Sequence, residues 1–188
     1  MDSLEKLKIS KNVTTIDEYA FYGCKNLKTI YAFEPDKRNF KKLSLWAEGE
    51  RFPVTPLNLA AWSHKETLFF DGGGSRNSNL IKSDSLEVGE AAKIVEVNAN
   101  SLDNILAGER VDYIKFDVEG AEREALEGSD KIISKDMPTL LVSLYHRSRD
   151  VFELVNTVKE KYPEYKLYLR RLRCLPAWEI DLIAINNS

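Results

Sequence analysis

The densest group of chemically active side chains follows one apolar run of the sequence. The run Val111–Asp117 is typical of a buried strand, and Glu119 and Glu122 follow Asp117 within five residues. Gly120 permits a tight turn between them. Carboxylates gathered at the carboxyl end of a strand indicate a ligand site, because open α/β sheets bind ligands at that edge. For Glu119 and Glu122, a favourable position at a helix N-terminus is an equally good explanation.

Two further side chains have comparable positions. Glu34 closes the run Thr29–Phe33, and α/β folds that bind nucleosides hold ribose hydroxyls with an acid at such a position. The alternative is an exposed acid at a strand end before Pro35. His146 follows the run Leu140–Tyr145, and an imidazole there can act as a general base near neutral pH or as a structural residue.

The elements that must position these side chains alternate along the chain. From residue 29 onward, β-rich apolar runs alternate with helical patterns, which predicts βαβ units, a mostly parallel sheet and an antiparallel closing pair. The predicted strands are Thr29–Phe33, Val54–Ala61, Glu66–Asp71, Lys93–Asn98, Val111–Asp117, Pro138–Tyr145, Lys166–Leu172 and Trp178–Asn186. The predicted helices follow Asp36, Ser101, Gly120 and Asp150, and a Gly-rich and Ser-rich exposed loop is predicted after Asp71.

Composition excludes several classes of protein. The 188 residues suit one domain, and 27 basic against 30 acidic residues give a net charge of −3, which predicts no nucleic acid or anionic membrane as partner. No apolar run approaches the roughly 20 residues of a membrane span, and the start Met1–Lys6 lacks the apolar core of a signal peptide. A cytoplasmic protein is therefore expected. Two distant cysteines and two histidines predict neither a disulfide framework nor a zinc centre of His and Cys ligands. Metal dependence stays open, since Asp117, Glu119 and His146 would suit a divalent ion if the reaction used one.

The first 28 residues differ from the rest. The segment Val13–Ile30 resembles one unit of the BspA-type leucine-rich repeat, with Ala20, Phe21, Cys24 and Leu27 at the core positions. A single repeat cannot bury its own apolar face, so this segment must contact the following domain or a second copy of the chain. We therefore divide the chain into a repeat-like segment, residues 1–28, and a main domain, residues 29–188.

The main domain resembles the FkbM family of S-adenosylmethionine-dependent methyltransferases over about residues 29–186. The motifs that carry the resemblance are Tyr31–Asp36, Asn58–Ala61, Ser101–Asp103, Ile114–Glu122 and Ser143–His146 with Asp150. The resemblance implies an α/β fold with the Rossmann-like sheet of class I methyltransferases. It also implies S-adenosylmethionine as cofactor and, as acceptor, a small molecule with a hydroxyl group, such as a sugar or another natural product.

The same resemblance implies roles for individual residues. Glu34 would hold the ribose of the cofactor, and Asn58 and Ala60 would lie near its adenine. Asp117 would contact the cofactor and, with Glu119 and His146, form the catalytic set near the sulfonium or the acceptor. Any one of these three could be the base that takes the proton of the acceptor hydroxyl.

One feature departs from the family pattern. A class I methyltransferase needs a Gly-rich turn after its first strand, and the closest match, Asp17–Gly23, has Tyr19 in place of the first glycine. Only ten residues separate Gly23 from Glu34, too few for a full helix and the next strand. The first βα unit is therefore predicted to be lacking or degenerate. The alternative function is a catalytically impaired scaffold or interaction module, and an uncovered sheet edge or the N-terminal segment would favour a homodimer.

Overall fold

The computed structural model describes residues 6–9, 28–50, 53–71, 80–81, 94–171 and 179–186. Its strands are β1 (Lys6–Ile9), β2 (Thr29–Phe33), β3 (Val54–Leu57), β4 (Ala60–Ala61), β5 (Glu66–Asp71), β6 (Leu80–Ile81), β7 (Ile94–Asn100), β8 (Tyr113–Phe116), β9 (Thr139–Ser143), β10 (Lys166–Arg171) and β11 (Ile180–Ile185). Its helices are α1 (Lys37–Gly49), α2 (Leu102–Ile105), α3 (Glu122–Glu127), α4 (Asp130–Asp136) and α5 (Asp150–Lys161).

The strands that carry the candidate residues belong to two ladders that lie side by side. In the first ladder β1, β2 and β3 are parallel in that order. In the second, β8 and β9 are parallel, and β11 and β10 follow as the predicted antiparallel pair. Strand β1 also lies against β8, which brings the ladders together. The predicted α/β fold with parallel strands is confirmed.

A strand precedes the predicted main domain in the sequence and pairs with its first strand. Strand β1 runs parallel to β2, with Lys6 opposite Thr29 and Ile9 opposite Ala32. Of the two predicted alternatives, a lacking or a degenerate first βα unit, this strand favours the degenerate one. The degenerate turn at Asp17–Gly23 and the repeat-like pattern lie outside the described residues, so a degenerate unit and the division at residue 28 stay predictions.

The predicted strand Val54–Ala61 is in fact two strands in different ladders. Strand β3 pairs with β2, whereas β4 pairs with β7 in a third ladder that also contains β5 and β6. The chain leaves β3 at Asn58, whose side-chain amide donates to the backbone carbonyls of Glu34 and Pro35. The prediction that β5 and β7 are neighbours is confirmed, and they pair antiparallel.

The core lies around the central strands of the second ladder. Side chains that alternate along β8 and β9 are fully buried, and α5 covers them with its apolar face; the buried residues include Ile114, Phe116, Leu140, Val142, Leu154 and Val158. Helix α4, which the sequence did not predict, adds Ile132 and Ile133 to this core.

Helix α1 begins as predicted, because the Asp36 carboxylate accepts hydrogen bonds from the backbone N–H groups of Arg38 and Asn39. The apolar side chains of α1 are only partly covered, since Leu45 is 69% exposed. In the part of the chain that the structure describes, no helix has the length and apolar character needed to cross a membrane.

Candidate active site

Asp117 is buried at the carboxyl end of β8, where an ammonium group and a hydroxyl group contact its carboxylate. Successive side chains of a strand point to opposite faces, so Lys115 and Asp117 share the face opposite the buried Ile114 and Phe116. The Lys115 Nζ atom lies 3.0 Å from Asp117 Oδ2, and the Tyr145 hydroxyl donates to Asp117 Oδ1 at 3.1 Å. Both oxygens of the carboxylate are therefore engaged, as burial of a charge requires.

A strained turn follows Asp117. Glu119 has φ 58° and Gly120 has φ 93°, both in the left-handed region that favours glycine. The carboxylate of Glu122 holds this turn, because its Oε1 accepts from the backbone N–H of Val118 at 3.0 Å and from that of Gly120 at 3.4 Å. A Cβ atom at Gly120 would lie 3.2 Å from the Nε atom of Arg147. Backbone strain of this kind costs on the order of 1–3 kcal/mol at a non-glycine residue such as Glu119. The two hydrogen bonds from Val118 and Gly120 to Glu122 hold Glu119 in this conformation from both sides.

His146 joins the three acids of this segment. Its Nδ1 lies 2.8 Å from Glu122 Oε1, and its Nε2 lies 3.6 Å from both Asp117 Oδ1 and Glu119 Oε2. The imidazole is only 10% exposed. The structure therefore brings Asp117, Glu119 and His146 together at the carboxyl edge of the sheet, and their catalytic roles stay predictions.

The charges in this cluster shift one another's pKa values. Burial alone would raise the pKa of Asp117, but Lys115, His146 and Tyr145 hold it below its usual value of 3.8. Burial alone would lower the pKa of His146, but the hydrogen bond and charge of Glu122, with the charges of Glu119 and Asp117, raise it above 6.5. The cluster thus favours an ionised Asp117 beside an imidazole whose pKa is raised.

The predicted cofactor residues Glu34 and Asn58 form a second cluster, at the ends of β2 and β3. Glu34 is 2% exposed, and its Oε1 accepts from the backbone N–H of Asp36 at 2.8 Å. The Asn58 amide donates to the carbonyls of Glu34 and Pro35 at 2.9 and 3.0 Å. Ala60 lies two residues farther along, half-buried in β4 opposite Ala99. These contacts fix the backbone around the Glu34 carboxylate.

Three contributions to the site were not predicted from the sequence. Lys115 pairs with Asp117, Tyr145 donates to it, and Glu122 binds the imidazole of His146. The spacing of two between Lys115 and Asp117 places both on one face of a strand and could have indicated their pairing. No local pattern indicates the contact between Glu122 and His146, because 24 residues separate them.

Within the described ranges, no three His, Cys, Asp or Glu side chains have an arrangement that could hold a metal ion. A positive charge beside Asp117 comes from the Lys115 ammonium, whose side chain is 23% exposed.

Comparisons with known proteins give the family. The methyltransferase FkbM domain model matches residues 9–172, a range that begins at the last residue of β1. No curated protein matches the sequence significantly.

Two solved structures share the fold. A methyltransferase FkbM from Methylobacillus flagellatus KT is 22% identical with a TM-score of 0.73, and the alignment covers 98% of this chain and 44% of that protein. An rRNA methylase from Streptococcus thermophilus is 13% identical with a TM-score of 0.56, and the alignment covers 100% of this chain and 89% of that protein. The chain thus spans less than half the length of its FkbM neighbour. Because the family model matches most of the sequence, including the strand and turn that carry Asp117 and Glu119, this chain belongs to the FkbM methyltransferase family.

Proposed function

We propose that this chain transfers a methyl group from S-adenosylmethionine to a hydroxyl group of a small molecule, a sugar or another natural product. The observation that carries the proposal is the cluster of Asp117, Glu119 and His146 at the carboxyl edge of the parallel strands. Ligands of open α/β sheets bind at this edge, and a hydroxyl needs a base before it becomes a good nucleophile.

The residues at the end of β2 suit the cofactor. Glu34 has a carboxylate with two acceptor oxygens, one of which accepts from the backbone N–H of Asp36. The Asn58 amide donates to the backbone carbonyl of Glu34 and so fixes the chain at this strand end. A carboxylate can accept hydrogen bonds from two adjacent ribose hydroxyls. Glu34 would hold the ribose, Asn58 and Ala60 would lie beside the adenine, and Asp117 would contact the cofactor on the other side of β1. The cofactor supplies a methyl group on a positively charged sulfur that leaves as a neutral thioether.

The side chains around His146 can supply the proton transfer. In the proposed reaction, Nε2 of His146 removes the proton of the acceptor hydroxyl as the hydroxyl oxygen forms its bond to the methyl carbon. The carboxylates of Asp117 and Glu119 then stabilise the imidazolium that results, because each lies 3.6 Å from Nε2. Lys115 keeps Asp117 ionised throughout. His146 is favoured over Asp117, because the lowered pKa of Asp117 makes its carboxylate a weak base.

The alternative, a catalytically impaired scaffold, depends on the segment that contains Tyr19. That segment lies outside the described residues, and a side chain in place of the first glycine would crowd the cofactor. The homodimer and the cytoplasmic location stay predictions beside this alternative.

Calorimetric titration with S-adenosylmethionine and S-adenosylhomocysteine tests the proposal. We expect a Kd in the micromolar range, at least tenfold weaker binding to Glu34→Ala, and no change for Glu164→Ala, an exposed acid in the turn before β10. A thermal-shift measurement checks that both variants are folded. Absence of binding at millimolar cofactor would contradict the proposal and favour the scaffold, whereas binding justifies a screen of sugar and natural-product hydroxyls as acceptors.

A further inference from the structure

Glu122 is the most enclosed charged side chain of the candidate site. It is 0% exposed, and its Oε1 is contacted by the backbone N–H groups of Val118 and Gly120 and by His146 Nδ1. Its other oxygen, Oε2, is equally buried and has no hydrogen-bond partner within the described part of the chain. One oxygen atom therefore receives all three contacts, which fixes the orientation of the carboxylate toward the imidazole.

We propose that Glu122 is a positioning residue that keeps a proton on Nδ1 of His146 and thereby leaves Nε2 as the atom that exchanges protons with the acceptor. A carboxylate accepts hydrogen bonds only, so Nδ1 must be the donor in the 2.8 Å contact. The Nε2 atom lies 3.6 Å from Asp117 and from Glu119, beyond hydrogen-bond distance, so its proton is held less strongly. The catalytic consequence rests on the proposed function, whereas the proton's position does not.

The same carboxylate couples the imidazole to the strained turn. Its two backbone contacts flank Glu119 in the sequence, so Glu122 holds both the ring and the acid that faces Nε2. A neutral histidine in water prefers the proton on Nε2, and a partner on one ring nitrogen selects the tautomer. Without Glu122 we therefore expect Nε2 to be protonated and unable to accept the acceptor's proton.

The charged and titratable groups around His146 come from four places in the fold. Asp117 and Glu119 face it from the end of β8, Glu122 faces it from α3, and the Tyr145 ring lies 4.3 Å from its own ring. Asp150, at the start of α5, also interacts with it electrostatically. Of these groups, only Glu122 contacts Nδ1. Removal of the Glu122 acceptor should therefore change the tautomer of His146, whereas substitution of Glu119 should change only its pKa.

Nitrogen-15 NMR of the histidine side chains tests this without any enzymatic assay. The sequence has only His64 and His146, and a His64→Gln variant assigns the two sets of signals. At a pH above the titration of His146, we expect the wild-type ring to carry its proton on Nδ1. In Glu122→Met, which removes the acceptor at Nδ1, we expect the proton on Nε2 and a lower pKa for His146. In Glu122→Gln the amide oxygen can keep the three contacts of Oε1, so we expect a lower pKa with the proton still on Nδ1. In Glu119→Gln we expect a lower pKa but an unchanged tautomer.

Glu127→Met is the matched control, because Glu127 is exposed on the same helix and its substitution should change neither property. A wild-type His146 with its proton on Nε2, or a Glu122→Met variant with the wild-type tautomer and pKa, would overturn the proposal. If Glu122→Met does not fold, the wild-type spectrum alone decides.

Once an acceptor is known, Glu122→Met should lower kcat/KM at least tenfold and move the ascending limb of the pH profile to lower pH. An unchanged pH profile would overturn the catalytic consequence. Absence of methyl transfer by the wild-type chain would instead contradict the proposed function and leave the NMR result intact.

Discussion

The two clusters at the carboxyl edge of the sheet are built in different ways. Around His146, side chains contact other side chains, so their charges set one another's protonation. Around Glu34, the main contacts join side chains to the backbone: Asn58 to two carbonyls and Glu34 to the N–H of Asp36. The first cluster is therefore suited to moving a proton and the second to presenting a fixed surface. Substitutions in the first should alter reactivity, and substitutions in the second should alter affinity and stability.

The largest effect is expected for Asp117→Asn. The neutral amide keeps the shape but removes the charge that pairs with Lys115 and stabilises an imidazolium at His146. We expect kcat/KM to fall about 10³-fold, measured as release of S-adenosylhomocysteine with an accepted substrate. Asp112→Asn, just before the same strand, is the control, since Asp112 pairs with an exposed Arg110. Activity of Asp117→Asn within threefold of wild type would refute a role of this charge in the reaction.

A helix follows each cluster in the sequence, and the two helices differ in how closely their C-terminal ends are packed. A Gly→Ala substitution at each of these ends measures that difference. Gly128 follows α3, and a Cβ atom there would lie 1.9 Å from the backbone oxygen of Trp62, whereas a Cβ atom at Gly49, at the end of α1, meets nothing within 4 Å. We expect Gly128→Ala to lower the free energy of unfolding by about 3 kcal/mol, because α3 must move, and Gly49→Ala to leave it nearly unchanged. Urea denaturation measures both. Equal stability of the two variants would show that α3 can shift without cost.

Asn58→Ala should reveal the backbone role of the second cluster. The substitution leaves the carbonyls of Glu34 and Pro35 without their amide donor, which should cost about 1–2 kcal/mol of stability and weaken cofactor binding about tenfold. Denaturation and calorimetry give the two values. Asn156→Ala, at an exposed position of α5, should change neither. A loss of activity with unchanged cofactor affinity would place Asn58 in the chemistry instead.

The smallest effect is the pH dependence of stability from His146. Because the folded-state pKa is raised above 6.5, this group's contribution to stability is fully present below pH 6.5 and is lost as pH rises through the folded-state pKa. The stability difference between wild type and His146→Gln should therefore shrink with rising pH above 6.5. Urea denaturation at several pH values measures it. A difference that grows with pH would mean that His146 is stabilised in its neutral form.

Several features of the fold followed from the sequence. The runs that end at Glu34 and Asp117 alternate with helical patterns, and this alternation fixes a parallel sheet whose carboxyl ends share an edge. Asp36 was identifiable as a helix cap because capping depends on neighbours three residues away. The sequence did not predict that Val54–Ala61 divides into two strands. The chain leaves the first strand at Asn58, whose amide donates to the carbonyls of Glu34 and Pro35, 24 and 23 positions earlier, and no local pattern indicates such contacts.

The sequence by itself determined which acids and which histidine reach the candidate site, because strand ends and turn residues are set by local patterns. It did not determine how they pair. That Glu122 rather than Asp117 binds Nδ1 of His146, and that Lys115 and Tyr145 engage Asp117, was decided by the tertiary structure. The physical reason is that hydrogen bonds depend on distances of a few tenths of an ångström between side chains from β8, α3 and the end of β9, and only their packing sets those distances.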